Sequence, residues 1–237
     1  MSQEIKISRF QLNAKYILLL VMLYVAASVA ADAVAYNFSS FFGLLESGAT
    51  IIFPTTYVLG DVISEVYGWH TAMRTVWFGL LAEAFFAVLV TIDIHFKPYV
   101  GQGIHVSDFH AVFGNIWLFV FGGIVSNAIA GLLNVYFISR WKILMKGRVF
   151  WLRSLLSTCI SEFILIVVTI LIAFLPFYGF NFTGRVFFDA YSLEIIYAIL
   201  FVIPAQLLVF FLKKKEGIDN YDYNISYNPF KFKEASL

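Results

Sequence analysis

Asp61 and Glu65 stand four residues apart in an otherwise apolar stretch, residues 48–68, GATIIFPTTYVLGDVISEVYG. An i, i+4 spacing puts both carboxylates on one helix face. An ionised carboxylate is costly in hydrocarbon, so a pair in such a segment is expected to face a polar cavity, a partner cation or a solute path. The alternative is that both lie at the end of their helix and are merely solvated, because Tyr67-Gly68-Trp69-His70 reads as an interfacial turn. Other polar groups recur at helical spacing in apolar segments. Asp32 comes late in the first, Glu83 lies in the middle of the third, and Asn127 and Asn134 share a face of the fourth beside Gly122, Gly123, Ser126 and Gly131. Thr158 and Glu162 are again i, i+4, with Ser154, Ser157 and Ser161 adjacent; Tyr191, Glu194 and Tyr197 follow at intervals of three, ahead of Pro204 and Gln206.

Each group carries two readings. Glycine and serine let membrane helices approach closely, which is enough to explain Gly122, Gly123 and Gly131. Asn127 and Asn134 serve either as interhelical glue or as two-sided readers of a heterocycle, since an amide both donates and accepts. Glu83 and Glu162 are harder to assign to packing, because each is a buried charge or a neutral acid. Glu194 is either part of that set or wet at the outer interface. The four histidines, His70, His95, His105 and His110, fall in or near connectors, without the convergent spacing a zinc site needs. An intramembrane aspartyl protease requires a Gly-x-Gly-Asp turn; here Val58-Leu59-Gly60-Asp61 lacks the first glycine. An intramembrane serine protease requires a Gly-x-Ser-x-Gly elbow and a histidine within a span, and neither is present. No catalytic residue, metal site or cofactor is therefore assigned.

The elements that position these residues follow from composition. Of 237 residues, 61% are hydrophobic and only 13% charged, against about half and about a quarter in a soluble domain. The fold class expected is an all-α integral membrane protein. The net charge of +1 gives no basic field for nucleic acid. The single cysteine, Cys159, has no intrachain partner. No glycine-lysine phosphate cradle occurs, so an ATP-driven role requires a separate subunit. Six apolar windows stand out, over residues 15–36, 48–67, 72–93, 111–138, 154–176 and 190–212. The fourth is expected to open with an interfacial turn around residues 109–115. The connectors include 37–47, a turn at 68–71, loops 94–110 and 177–189, and a basic loop at 139–153. The chain divides into an N-terminal segment 1–14, a six-helix transmembrane domain 15–212 and a polar tail 213–237, in which little fixed structure is expected. The first span is read as retained rather than as a signal peptide.

Basic residues set the orientation. Alternate connectors and the two ends hold 14 of the 16 Lys and Arg residues, leaving only Lys97 and Arg185 on the other side. With six transmembrane helices this puts both termini in the cytoplasm.

On these residues the chain resembles a known family. The run Phe53 to Gly68 quoted above, followed by Arg74 and Trp77, resembles the signature of the queuosine precursor transporters, also described as vitamin uptake transporter-like proteins. Residues 109–114, FHAVFG, 133–136, LNVY, and 146–158, KGRVFWLRSLLST, fit the same pattern in order and spacing. The resemblance covers most of the chain. It implies six spans in a bacterial cytoplasmic (inner) membrane and import of 7-deazaguanine bases, precursors of a modified tRNA nucleoside, with no ATPase partner. Pro54, Asp61, Glu65, Gly68, Asn134, Trp151, Arg153, Ser157 and Thr158 match the pattern position by position. Departures occur at Gly131, where the family usually has glutamine, at Glu162 and Leu165, where it has glutamine and aspartate, and near Glu194, where a lysine is usual.

The Glu162 difference has a chemical reading. A guanine-like edge presents two donors side by side, which a carboxylate accepts in parallel. The expected site is a pocket for a planar, donor-rich base formed by Asp61, Glu65, Asn127, Asn134, Thr158 and Glu162, with Phe53 or Tyr57 as stacking surface. Arg74 and Arg153 are expected as counter-charges at the inner mouth, with Glu83 in gating. The partners expected are a nucleobase-like solute and membrane lipid, with the protein acting alone or as a homo-oligomer. Two other readings stay open: a substrate-binding component energised by a separate ATPase, and a membrane scaffold whose polar residues only join helices.

Overall fold

The computed structural model describes residues 14–35, 37–41, 43–96, 112–114 and 116–232. The N-terminal basic residues Lys6 and Arg9, Lys97, His105, His110 and most of the expected turn at 109–115 lie outside that set, as does Lys233. Helices dominate. In chain order they are α1 (Ile17–Val34), α2 (Ala49–Tyr67), α3 (Trp69–Ile94), α4 (Ile116–Leu144), α5 (Phe150–Thr169) and α6 (Leu175–Glu216). A π-helical turn, Ile170–Phe174, joins α5 to α6. Among the described residues, four helical stretches are long and apolar enough to cross a membrane: Ile17–Val34, Trp69–Ile94, Val120–Leu144 and Phe150–Glu216. The last runs for 67 residues and is interrupted at Gly179, whose backbone (φ 73°, ψ 170°) is non-helical.

The distribution of side chains is that of a multi-pass membrane protein. Large apolar residues such as Leu81, Phe85, Leu200, Ile203, Leu207 and Phe210 face outward, while Asp61, Glu65, Glu83, Arg153 and Glu162 are buried. An apolar exterior of this extent calls for lipid. The helix α2 is encased by α1, α3, α4 and α6 and buries most of its residues. It is not among the four apolar stretches, because Thr50, Thr55, Thr56, Gly60, Asp61, Ser64 and Glu65 dilute its hydropathy. Its polar face is therefore turned to protein.

Three expectations are corrected. The connector 37–47 carries, among the described residues, the departure from an all-helical chain: Phe38–Phe41 (β1) and Leu44–Ser47 (β2) form an antiparallel hairpin, with Gly43 at φ 83° turning the chain. A two-stranded hairpin is marginal alone. This one is held by edge-to-face contacts of Phe38 with Phe174, Tyr178 and Phe182, and by Leu45 N–H donating to Asp189 Oδ2 at 2.9 Å. The loop expected at 177–189 is helical, because of its glycines only Gly179 leaves helical geometry, and Tyr178 stacks on Phe182 at 5.0 Å across the break.

The tail is the third correction. Helix α6 continues to Glu216, and residues 217–232 are strapped across the ends of α2, α3 and α4. Asn220 N–H donates to the Val66 carbonyl at 3.1 Å and Asp222 Oδ2 accepts from Trp69 N–H at 2.9 Å, capping α3. Ser139 donates to the same Asp222 oxygen at 2.5 Å, Trp77 Nε1 donates to the Pro229 carbonyl at 2.9 Å, and Arg74 donates to the Phe232 carbonyl. Gly68, at φ 85°, joins α2 to α3 by a single residue; a Cβ there would stand 2.6 Å from Asn220 Nδ2. Polarity misled the sequence reading because the tail's polar groups are spent on helix ends rather than on water.

Candidate functional site

The residues Phe53, Tyr57, Asp61 and Glu65 recur every four positions along α2, so they form a ladder about 6 Å per rung and roughly 18 Å long. Across it, α5 runs the opposite way and supplies Arg153 opposite Glu65, Ser154 and Thr158 opposite Asp61, and Glu162 near Tyr57. Each rung has its own chemistry.

Glu65 is fully buried and ringed by cations. Arg153 Nη1 lies 2.8 Å from one of its oxygens and Lys213 Nζ 2.6 Å from the other, with Lys142 Nζ at 3.9 Å. Lys142 also donates to the Glu65 carbonyl at 2.6 Å, to Asp219 at 2.5 Å and to the Asn220 carbonyl at 2.6 Å. Lys213 closes the network on Asp219 at 2.9 Å. One charged residue from each of α2, α4, α5 and α6 thus meets the tail at a single end of the bundle. Burial raises the pKa of Asp219, but its hydrogen bonds and ion pairs with Lys142 and Lys213 outweigh it and hold the carboxyl below the usual carboxylate range. Asp222 moves the other way: burial dominates, and its bonds to Ser139 and Trp69 only moderate the rise.

Asp61, one turn along, is equally buried and has no ion pair among the described residues; Asn134 Nδ2 donates to it at 2.5 Å, Ser154 Oγ donates to its other oxygen and Thr158 Oγ1 lies at 3.4 Å. Beyond it, hydrogen-bond partners run out. Among the described residues the Tyr57 hydroxyl is buried without one, and Glu162 and Glu194 are within hydrogen-bond reach of one another, with no other residue donating to either oxygen of Glu162. Glu162 and Glu194 are close enough to act on one another, and Asp61 acts on Glu162 through space. At the hairpin end a cavity opens, lined by Asp32, Thr50, Phe53, Gly123, Leu165 and Glu194 among others. Its volume is about 70 Å³, well short of the about 300–1,000 Å³ of a fully formed small-molecule pocket. A smaller void of about 10 Å³ sits between Tyr24, Tyr57, Gly60, Asn127, Gly131 and Asn134.

The residues singled out in the sequence thus separate into different surroundings. Phe53 lines the cavity, Tyr57 borders the smaller void, Glu162 acts on the cavity-lining Glu194, and Thr158 and Asn134 serve Asp61. Asn127 instead donates to Glu83 at 3.2 Å. Arg153 pairs with Glu65, whereas Arg74 binds the tail. Three participants escaped the sequence reading: Lys142, Lys213 and Asp219. Ser154 enters that reading only as a neighbour of Thr158 and Glu162, although the three form an i, i+4, i+8 stripe; Lys142 and Lys213 looked like ordinary inner-face charges. Among the described residues no three His, Cys, Asp or Glu side chains converge as metal ligands.

The family described as a putative vitamin uptake transporter matches residues 47–209, which spans α2 to α6. A Bacillus subtilis (strain 168) protein named "Probable queuosine precursor transporter" is 24% identical over 169 residues, covering 71% of this chain and 73% of the relative. No solved structure matches the chain.

Proposed function

The chain belongs to the vitamin uptake transporter family, and from that premise we propose that it imports a queuosine precursor, a 7-deazaguanine base, or a closely related purine-like base across a bacterial cytoplasmic membrane. It does so with six crossings, both termini in the cytoplasm and no ATPase subunit. The observation that supports the reading is the buried acid pair Glu162 and Glu194, without an ion-pair partner among the described residues, of which Glu194 lines a cavity together with Phe53. A carboxylate accepts the paired N1–H and amino donors of a guanine-type edge on its two oxygens, and an aromatic wall takes its face. The name of the Bacillus relative points to the same solute class.

In this reading the base enters from the hairpin end, stacks on Phe53 or Tyr57 and exchanges its hydration for Glu162 and Glu194. Asp61 forms the floor. The Glu65 network below it is a closed inner gate, since releasing a solute to that end requires Lys142, Arg153 and Lys213 to separate from Glu65. The test is uptake in a bacterial host that lacks both queuosine precursor synthesis and its own importer. Expression of this protein with nanomolar 7-deazaguanine bases should restore queuosine in tRNA, scored by gel mobility, and Glu162→Ala should abolish that recovery. A well-expressed protein that restores none would remove this substrate class, and unaltered uptake by the variant would remove Glu162 from the site.

A further inference from the structure

We infer that Asp32 and Glu83 form a second site, one that binds a proton and couples its passage to that of the base; the coupling half of this inference rests on the transport reading above. The two carboxyls come from α1 and α3, are 4% and 1% exposed, and act on one another electrostatically. Neither belongs to the Phe53–Glu65 ladder. Glu83 Oε1 accepts from Asn127 Nδ2, but Glu83 Oε2 and Asp32 Oδ2 have no hydrogen-bond partner. Ser28 Oγ, wholly buried, faces Glu83 without closing a hydrogen bond of good geometry.

Charge decides what this arrangement holds. The groups facing the pair are Tyr24 and Ser28 from α1 and Asn127 from α4, all neutral, and Glu194 of α6, which shares the cavity with Asp32; the acids are thus Asp32, Glu83 and Glu194. Among the described residues, neither Asp32 nor Glu83 enters an ion pair with Lys, Arg or His. Two ionised carboxylates in such a place, with a single side-chain hydrogen bond from Asn127 between them, would cost several kcal/mol each, a large share of a fold's stability, so an accompanying cation is strongly favoured. The packing favours the smallest one. A Cβ at Gly123 would stand 3.1 Å from Asp32 Oδ1, and one at Gly79 would stand 2.8 Å from the Tyr24 ring and 3.4 Å from Ser28 Oγ. Helices this close leave room for a proton on a carboxyl oxygen rather than for a coordinated metal ion.

Position supplies the coupling. Asp32 also lines the cavity that holds Glu194, while Glu83 lies beyond it toward α3 and α4. A proton taken up from the hairpin end therefore reaches Asp32 through the space the base would occupy. Protonation neutralises the pair and lets α1, α3 and α4 stay closed; loss of the proton to the other end restores repulsion and drives them apart.

Two measurements on the intact protein test this. Infrared difference spectroscopy of the purified protein in lipid, between alkaline and acidic buffer, should show a protonated carboxylic acid carbonyl band that Glu83→Gln removes. A spectrum unchanged by the substitution overturns the proton site, whatever the protein transports. In proteoliposomes, an inward proton gradient should speed 7-deazaguanine uptake at least several-fold and a protonophore should abolish that gain. Glu83→Gln should lose the gradient response while keeping exchange of labelled for unlabelled base. Wild-type uptake that ignores the proton gradient, or that follows sodium instead, overturns the coupling although the transport reading stands. A wild type that exchanges no base overturns transport and coupling together, and the infrared result still decides the proton site.

Discussion

Glu65 and Asp61 differ by one helical turn and by almost everything in their surroundings. At the Glu65 end, three cations and Asp219 close a dense ionic cluster, and every member is held from a different helix or from the tail. Toward the hairpin end, Asp32, Glu83, Glu162 and Glu194 are as deeply buried, yet none has an ion pair among the described residues, and oxygens on each lack a hydrogen bond from any group other than a second acid. The same residue type is thus used in two ways. Paired carboxylates lock helices together; unpaired ones are left waiting for something the polypeptide itself does not supply. Breaking a buried pair costs stability, whereas neutralising an unpaired acid relieves it.

The largest expected effect comes from removing the lock. Glu65→Ala strands Arg153, Lys142 and Lys213 around a single partly exposed aspartate, so we expect a loss of about 3–5 kcal/mol in thermal or denaturant unfolding in detergent. A variant that unfolds like the wild type would show that Asp219 and backbone carbonyls suffice, and would erase the distinction between the two ends. Next in size is Glu162→Gln. It should leave unfolding unchanged or shifted upward, since it deletes an acid without an ion-pair partner. Uptake should weaken about tenfold to a hundredfold in half-saturation, from loss of a charge-assisted contact worth about 1.5–3 kcal/mol. A destabilised protein with normal uptake would reverse the roles we assign to the two regions.

The contrast also explains what could be read from sequence. Helix positions were legible because apolar windows twenty residues long leave few alternatives. The face carrying Asp61, Tyr57 and Phe53 was legible because a four-residue spacing is local. Which acid meets a cation was not. Glu65 is joined to Lys142, Arg153 and Lys213 across separations of 77, 88 and 148 residues, and nothing local to residue 65 distinguishes it from residue 61. Glu194 shows the same limit from the other side: its distance from the interface depends on α6 starting at Leu175 rather than near residue 190, and that follows from Gly184 remaining helical. The strap of residues 217–232 was the least legible part, since backbone N–H and carbonyl groups at the ends of α2 and α3 carry no sequence signal.

That strap offers the smallest and most diagnostic effect, because Asp219 is the most exposed member of the ionic cluster, with 42% of its side chain exposed against 23% for Lys213. Its carboxyl is held below the ordinary carboxylate range by Lys142 and Lys213, despite the opposing effect of burial. A depressed folded-state pKa contributes stability that is present above the unfolded value and lost as pH falls through the folded one. Asp219→Asn should therefore be less stable than the wild type at neutral pH, by no more than about 1 kcal/mol given its exposure. The two unfolding curves should then converge as the medium is acidified below the usual carboxylate range, where the wild type loses the same interaction. A gap that persists in acid would mean that Asp219 acts through packing or its neutral hydrogen bonds. The tail would then belong to the fold alone, and the inner gate would consist of Glu65 and its three cations without it.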